Sequence, residues 1–290
     1  MANDYLIFVD GGCDVDNMLI SDGSVSVLPT RFTVNGVNNS YTGLESDKDI
    51  DSIYDRQHNG DVIVTYDLCA DEFETYIGQR LKHGVGVLYL TISSTLSTAY
   101  GEALKYKKII NHTFSDVPFE IIDTKTISGG IGVIAEQAVL NKKSGLSLKE
   151  NSKNLKDFIK KVRSWYFIDN TKYLKETGKI TNTAIFFSSA LKIKPIFEIV
   201  GTGDGDFHPV TTKIGTRGAC NVLVDLFFKY DVSKDAPVYI NHSNSMTNAM
   251  LVKNMLEKAG VKNVIKIRPM TPMVGAHCGP GVISIHVYEN

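Results

Sequence analysis

Short β-forming runs alternate with longer amphipathic segments in the first half of the chain, and this alternation constrains the fold more than any other feature. A strand followed by a helix and another strand is typical of a parallel sheet with helices on its faces. The sequence therefore predicts an α/β fold whose N-terminal domain is a three-layer α/β/α unit with a mainly parallel sheet. Its predicted strands cover 6–10, 61–66, 85–93 and 119–125, and its predicted helices cover 70–84, 95–111 and 127–143.

At 290 residues the chain exceeds the usual length of one domain. The pattern of its predicted helices and strands changes near residues 150–165. We expect two domains, 1–160 and 161–290, with a ligand at their junction. The second is predicted to be an α/β domain with a mixed sheet, because a hairpin at 197–215 precedes further helices and strands. A polar helix at 147–165 leads into it, and helices at 216–230 and 246–260 alternate with strands at 236–243, 263–270 and 281–290.

Composition excludes several classes of protein. The 31 Lys and Arg residues balance 32 Asp and Glu residues, so there is no excess positive charge to attract nucleic acid. Four cysteines stand far apart without the spacing of a zinc site or a disulfide framework, so we expect no metal. The P-loop motif is absent, as is G-x-G-x-x-G after the first strand, and we expect no cofactor. The first residues do not show the pattern of a signal peptide, so we expect none, and apolar runs stay below the ~20 residues that cross a bilayer. These features predict a soluble cytoplasmic protein without a transmembrane segment.

Hydroxyl side chains stand where two predicted strands end, at Thr65 and at Ser93 and Ser94, with Thr95 next in the chain. Ligands of α/β proteins gather at the carboxyl ends of parallel strands. One of these hydroxyls suffices to cap a helix, which is the commonest role of Ser and Thr there. The others are available to donate hydrogen bonds to a carboxylate or phosphate.

A second candidate is His277, which stands among small residues at 274–281, between two predicted strands. Glycines at this density predict an irregular loop or close approach by another group. We interpret His277 as a binding residue on a Gly-rich loop, with plain packing as the alternative. Cys278 beside it is a weak candidate nucleophile, because neighbours in an extended segment point to opposite sides. The segment after Asp10 predicts a turn that either is structural or lines the cleft.

With these segments in order, the sequence resembles the DegV family across essentially its whole length. Several separate motifs carry the resemblance, among them TISSTLSTAY at 91–100 and GAHCGPG at 275–281. The family's usual Thr-Ser-Gln-Pro-Ser reads Thr-Tyr-Asp-Leu-Cys at 65–69, and its usual Gly-Gly-Arg-Ile reads Thr-Gly-Lys-Ile at 177–180. The other matching segments are 65–73, 122–125, 128–132, 173–174, 178–180, 193–196 and Arg217.

The resemblance implies a non-catalytic carrier that binds one long-chain fatty acid, with the tail buried in one domain and the carboxylate at the domain junction. The residues implied to hold the carboxylate are Thr65, Ser93 or Ser94, and His277. Better-studied relatives serve as the lipid-binding subunit of bacterial fatty acid kinase, whose separate ATP-binding subunit makes acyl phosphate for phospholipid synthesis. Lys179 and Arg217 are the candidates to face such a partner.

Two other functions remain open from the residues alone. A self-sufficient acyl or phosphoryl transfer enzyme would use His277 with Ser94 or Cys278. A regulatory or structural protein without a ligand would instead have a filled cleft at the junction.

Overall fold

The computed structural model describes residues 5–110, 113–114, 116–176 and 192–290. Its strands are β1 (Tyr5–Val9), β2 (Ser26–Val27), β3 (Thr30–Val34), β4 (Val37–Tyr41), β5 (Ile63–Thr65), β6 (Gly86–Thr91), β7 (Phe119–Asp123), β8 (Val162–Phe167), β9 (Ile193–Val200), β10 (His208–Ile214), β11 (Val238–His242), β12 (Ile265–Pro269) and β13 (Ile283–Tyr288).

The α-helices are α1 (Asn17–Ser21), α2 (Asp47–His58), α3 (Ala70–Phe73), α4 (Gln79–Lys82), α5 (Ala99–Ile110), α6 (Gly129–Lys143), α7 (Leu148–Phe158), α8 (Lys172–Glu176), α9 (Thr216–Lys229), α10 (Met246–Lys258) and α11 (Pro272–Cys278). A π-helical turn, Glu74–Gly78, joins α3 to α4, and a 3-10 turn, Ile159–Lys161, follows α7. No helix in these described stretches is both long and apolar enough to span a membrane.

The first sheet is parallel throughout and has the strand order β2-β1-β6-β7. Side chains alternate between its two faces, as the period of two in a strand requires. Ile7 and Leu88 pack toward α6 and α7, whereas Phe8 and Tyr89 pack toward α3, α4 and α5. This arrangement is the predicted three-layer α/β/α unit.

Thr65 does not end a strand of that parallel sheet, so its predicted place was wrong. Its strand β5 instead pairs antiparallel with β3 in a separate three-stranded sheet of order β4-β3-β5, with Phe32 opposite Thr65. The β3–β4 hairpin that creates this sheet turns at Asn35 and Gly36, both with positive φ. Asn-Gly is the preferred pair for such a two-residue turn.

The second sheet is mixed, as predicted, with the order β10-β9-β8-β13-β11-β12. Among these described strands, only the β11–β12 pair is parallel. The predicted helix at 147–165 was too long, because α7 ends at Phe158 and residues 162–167 form β8. Trp165 packs into the core beneath α9 and α10, and Tyr166 faces the opposite side of the sheet, so the segment is buried on both faces.

Helix α6 lies between the two sheets and contacts β1 as well as β8, β11 and β13. Glycines at its start allow this close approach. A Cβ at Gly132 would lie 2.8 Å from the Asp14 carbonyl oxygen, and one at Gly129 would lie 2.1 Å from Asn241 Oδ1. The core around α6 is therefore continuous between the halves, and the predicted domain boundary at residue 160 stays a prediction.

Candidate functional site

A pocket with a volume of about 190 Å³ lies between the two halves of the chain. The ends of β1, β5 and β6 border it from the first half, and α11 borders it from the second. Its wall is mainly apolar, with Ile92, Leu96, Ile127, Phe207, Met273 and Val274 among the lining residues. The polar side chains in the lining, called the polar end below, are Asp10, Thr30, Thr65, Asp67, Ser97 and His277. The pocket is thus a largely apolar cavity with a small set of polar groups.

Thr65 and His277, two members of this polar set, lie side by side. Thr65 Oγ1 lies 3.0 Å from His277 Nε2, within hydrogen-bond distance, although 212 positions separate the two residues in the chain. Both side chains are half-buried and line the pocket. The structure therefore brings together two of the residues that the sequence placed at the carboxylate site.

His277 does not lie on a Gly-rich loop, and that prediction was wrong. It lies in the last turn of α11, which begins at Pro272 and ends at Cys278, and the next residue, Gly279, has a φ of 75°. Proline in the first turn and glycine after the last are ordinary signals for the start and end of a helix. Both signals are present in the sequence, but the apolar stretch between them is too short to show a helical period.

Helix α11 is held in place by residues from the first half of the chain. Tyr54 Oη donates to the carbonyl oxygens of Met270 and Thr271, at 2.8 and 3.2 Å. Gln57 Nε2 donates to the Ala276 carbonyl at 3.0 Å. Because Ala276 directly precedes His277, α2 anchors the backbone that carries the imidazole.

Asp14 holds the other end of α11. Its Oδ1 accepts a hydrogen bond from the Thr271 backbone N–H at 2.7 Å, and its Oδ2 accepts one from the Ser128 hydroxyl. The carboxyl is fully buried, and burial raises its pKa to about 7. Asp14 thereby connects the loop after β1, the start of α6 and the start of α11.

The structure places Ser93 and Ser94 outside the lining of this pocket. Ser93 is fully buried, and its Oγ accepts a hydrogen bond from the Thr95 N–H at 3.3 Å. Ser94 Oγ donates to Asp123 and borders a separate surface cleft. Neither serine caps α5, because that helix begins only at Ala99. Contact between either serine and a carboxylate stays a prediction.

Asp67 is a functional candidate that sequence reasoning missed. Its Oδ2 accepts from the Thr98 N–H at 3.2 Å and from the Thr98 hydroxyl at 2.6 Å. Its Oδ1 accepts from the Ser97 hydroxyl at 3.0 Å, and both Asp67 and Ser97 line the pocket. An acidic residue two positions after Thr65 was the available signal, since alternate residues of an extended segment face the same side.

Asp10 also lines the pocket, so the turn after β1 is both structural and part of the cleft. Its Oδ1 accepts from the Gly12 N–H at 3.0 Å and its Oδ2 from the Ile92 N–H at 2.7 Å. Burial raises the pKa of this carboxyl to about 7, and the nearby charge of Asp67 adds to the effect. Asp10 ties the end of β1 to the end of β6.

The nucleophilic alternatives find little support in this geometry. Cys278 lines the pocket, but burial raises the pKa of its thiol to about 12, so the reactive thiolate is scarce near neutral pH. His277 Nε2 is directed to Thr65, and Ser94 is directed to Asp123, so Ser94 and His277 do not form a nucleophile–base pair. Across the described residues, no group of three His, Cys, Asp or Glu side chains is placed to hold a metal ion.

Two residues, Lys179 and Arg217, were predicted to face a partner. Arg217 is exposed in the first turn of α9 and does not line the pocket. Lys179 lies outside the residues that the structure describes.

Comparison with known proteins identifies the family. The family model described as "Uncharacterised protein, DegV family" matches residues 5–290, almost the entire chain. This chain belongs to the DegV family. A DegV domain-containing protein of Clostridium perfringens is 24% identical over 284 residues, which cover 97% of this chain and 96% of the relative.

Solved structures share the DegV fold over the full length of the chain. A DegV lipid-binding protein from Thermotoga maritima matches with a TM-score of 0.85 at 22% identity, covering 98% of both chains. The B3 protein of the Streptococcus pneumoniae fatty acid kinase, solved with linoleic acid, matches with a TM-score of 0.84 at 16% identity. That match covers 99% of this chain and 100% of the S. pneumoniae protein. The predicted family and the α/β fold are confirmed.

Proposed function

We propose that this DegV protein binds one long-chain fatty acid and presents its carboxyl group to a separate kinase subunit for phosphorylation to acyl phosphate. The observation that carries the proposal is the Thr65–His277 pair, which stands at the polar end of an otherwise apolar pocket. The T. maritima protein of the same fold is a lipid-binding protein, and the S. pneumoniae protein was solved with linoleic acid. Both likenesses support a lipid as the ligand.

The two parts of the pocket suit the two parts of a fatty acid. A sixteen-carbon chain has about fourteen methylenes, and burying each contributes ~0.8 kcal/mol, or about 11 kcal/mol before the costs of binding. The carboxyl group loses its water when it enters and needs hydrogen-bonding partners in exchange. Thr65 Oγ1 and His277 Nε2 are half-buried groups that supply them.

Phosphorylation is assigned to a separate subunit because the sequence lacks the Gly-rich phosphate-binding motif of P-loop enzymes. A carrier that holds the tail and leaves one carboxyl oxygen reachable would provide the nucleophile, and the partner would position ATP and magnesium. Lys179 and exposed Arg217 are the residues proposed to face that partner.

The experiment is mass spectrometry of lipid extracted from the purified protein, followed by titration of hexadecanoic acid into delipidated protein. We expect a long-chain fatty acid in the extract. His277→Ala and Thr65→Val each remove one member of the polar pair, so each is expected to weaken binding by roughly tenfold, the value of one or two hydrogen bonds. His83→Ala, an exposed histidine after α4, is the matched control and should bind as the wild type does.

The same titration tests the remaining predicted contacts, Ser93→Ala and Ser94→Ala. If repeated preparations contain no fatty acid and the delipidated protein binds none, the proposed function is wrong. Turnover of an acyl or phosphorylated substrate by the isolated chain, abolished by His277→Ala, would favour a self-sufficient enzyme instead.

A further inference from the structure

Phe207 lines the pocket but has no part in the contacts proposed for the head of the ligand. It directly precedes β10, in the connection from β9, whereas Thr65 and His277 lie on β5 and α11. Its side chain is half-buried and packs against the main hydrophobic core. The second half of the chain thus contributes a large apolar ring to the wall of the pocket.

The ring of Phe207 separates the pocket from two aromatic rings of the second sheet. Its centroid lies 4.9 Å from that of Tyr166 and 6.1 Å from that of Phe197, and both pairs are edge-to-face. Tyr166 and Phe197 are fully buried, and neither lines the pocket. Removing the Phe207 ring would therefore extend the pocket toward Tyr166 and Phe197.

Tyr166 and Phe197 are held in place behind the Phe207 ring. They lie opposite each other in the β8–β9 pair, and both strands have a neighbouring strand on each side. Tyr166 Oη also donates to the Ile127 carbonyl at 3.2 Å, and the Tyr166 ring packs edge-to-face against His286. A large-to-small substitution leaves a cavity where its surroundings relax only partly. Truncation of Phe207 is thus expected to enlarge the pocket.

The backbone that carries Phe207 is seated on the first half of the chain. Gly205 has a φ of 83°, and a Cβ there would lie 2.2 Å from Ser93 Oγ. The Asp204 carbonyl accepts a hydrogen bond from the Thr95 hydroxyl at 2.8 Å. These contacts hold the ring at one depth in the pocket, as an end wall requires.

We propose that the ring of Phe207 is the end wall for the acyl chain and sets the longest chain that binds tightly. The proposal rests on the lipid-binding function proposed above, with the head at Thr65 and His277, and adds a specificity-determining residue for chain length. Each methylene buried within the limit contributes about fourfold in affinity, whereas a methylene beyond the limit meets the ring and contributes nothing.

The test measures how affinity depends on chain length across the even-numbered saturated acids from dodecanoic to eicosanoic acid. Affinities of the delipidated full-length protein are measured by competition with a fluorescent long-chain probe. We expect the affinity of the wild type to rise with chain length and then to level off or fall. In Phe207→Ala the limit should move to a longer chain. The next acid in the series should gain roughly tenfold relative to the wild-type limit, the contribution of about two further buried methylenes.

The position of the limit separates chain-length selection from damage to the fold, because a distorted pocket weakens all the acids together. Phe207→Leu keeps an apolar side chain and should move the limit in the same direction by less, so the test does not depend on the stability of the alanine variant. Phe228→Ala is the matched control, since Phe228 is exposed on α9 and does not line the pocket. It should leave the limit unchanged.

Two results would overturn the end wall while the lipid-binding function stands. One is an unchanged limit in both Phe207 variants, and the other is a wild-type affinity that still rises at eicosanoic acid. If the wild type binds none of the acids, the lipid-binding function is itself wrong.

Discussion

Replacing Gly275 with alanine tests how tightly α2 holds the helix that carries His277. A Cβ at Gly275 would lie 1.9 Å from Tyr54 Oη and 2.1 Å from Tyr54 Cε1, well inside contact distance. The ring has nowhere to turn, because Tyr54 is fully buried and its hydroxyl donates to Met270 and Thr271. Helices α2 and α11 must therefore separate by roughly 1 Å or more, as contact distances of ~3.5 Å require.

The expected cost follows from these contacts. Overpacking costs about 1–3 kcal/mol, and weakened Tyr54 hydrogen bonds cost about 1 kcal/mol more. Alanine in place of glycine inside a helix stabilises the helix by about 1 kcal/mol, which offsets part of this cost. We expect Gly275→Ala to lower the free energy of unfolding by about 1–3 kcal/mol and to weaken hexadecanoic acid binding, since His277 moves with α11.

Gly101→Ala is the matched control, because Gly101 is also helical but exposed, and a Cβ added there would meet nothing within 4 Å. It should raise the free energy of unfolding by about 0.5–1 kcal/mol and leave binding unchanged. Urea denaturation followed by circular dichroism measures the stability of both variants. If Gly275→Ala is as stable as the wild type, α2 does not clamp α11 as described.

Two further predictions concern buried groups. Burial raises the pKa of Asp14 from 3.8 to about 7, so the folded state retains a proton and stability falls as the pH rises from about 4 to 7. In Asp14→Asn, the amide oxygen still accepts a hydrogen bond from the Thr271 N–H, and the amide nitrogen can donate one to the Ser128 hydroxyl. This variant should flatten the pH dependence of stability and raise the free energy of unfolding at pH 8 by ~1–3 kcal/mol. Urea unfolding across the pH range measures both effects. Trp165→Phe shrinks a fully buried ring stacked on Tyr230 and should cost about 1–3 kcal/mol, whereas an unchanged thermal midpoint would contradict the packing.

The fold was predictable from sequence wherever a local pattern decides it. The strand–helix alternation predicted the parallel sheet, and the extended run at 197–215 predicted the β9–β10 hairpin. The small antiparallel sheet was not predicted because the run that forms β5 stands within the strand–helix alternation, although Asn35-Gly36 is a hairpin signal. The end of α7 was missed because a buried strand and a buried helix have similar composition over a few residues.

The candidate site was predictable only in part, because its geometry is long-range. Thr65 and His277 were chosen for their chemistry, and the structure places them within hydrogen-bond distance. Nothing local indicates that α5 begins at Ala99, so the hydrogen bonds of Asp67 to the loop before it could not be predicted from the sequence. An acidic residue beside a predicted carboxylate site also contradicts the simplest expectation of charge complementarity, so charge alone does not point to Asp67.

The polar end of the pocket is held by more than the Thr65–His277 bond. Moving α11 away from the first half also breaks the hydrogen bonds that it and the two residues before it make with Tyr54, Gln57 and Asp14. At about 1 kcal/mol for each buried bond, separation costs at least ~3 kcal/mol, so fewer than about 1 molecule in 100 is open there at equilibrium. The ligand head that we propose to bind at Thr65 and His277 would therefore meet a preformed geometry, which the proposed carrier needs in order to present one oxygen atom to a partner in a fixed position.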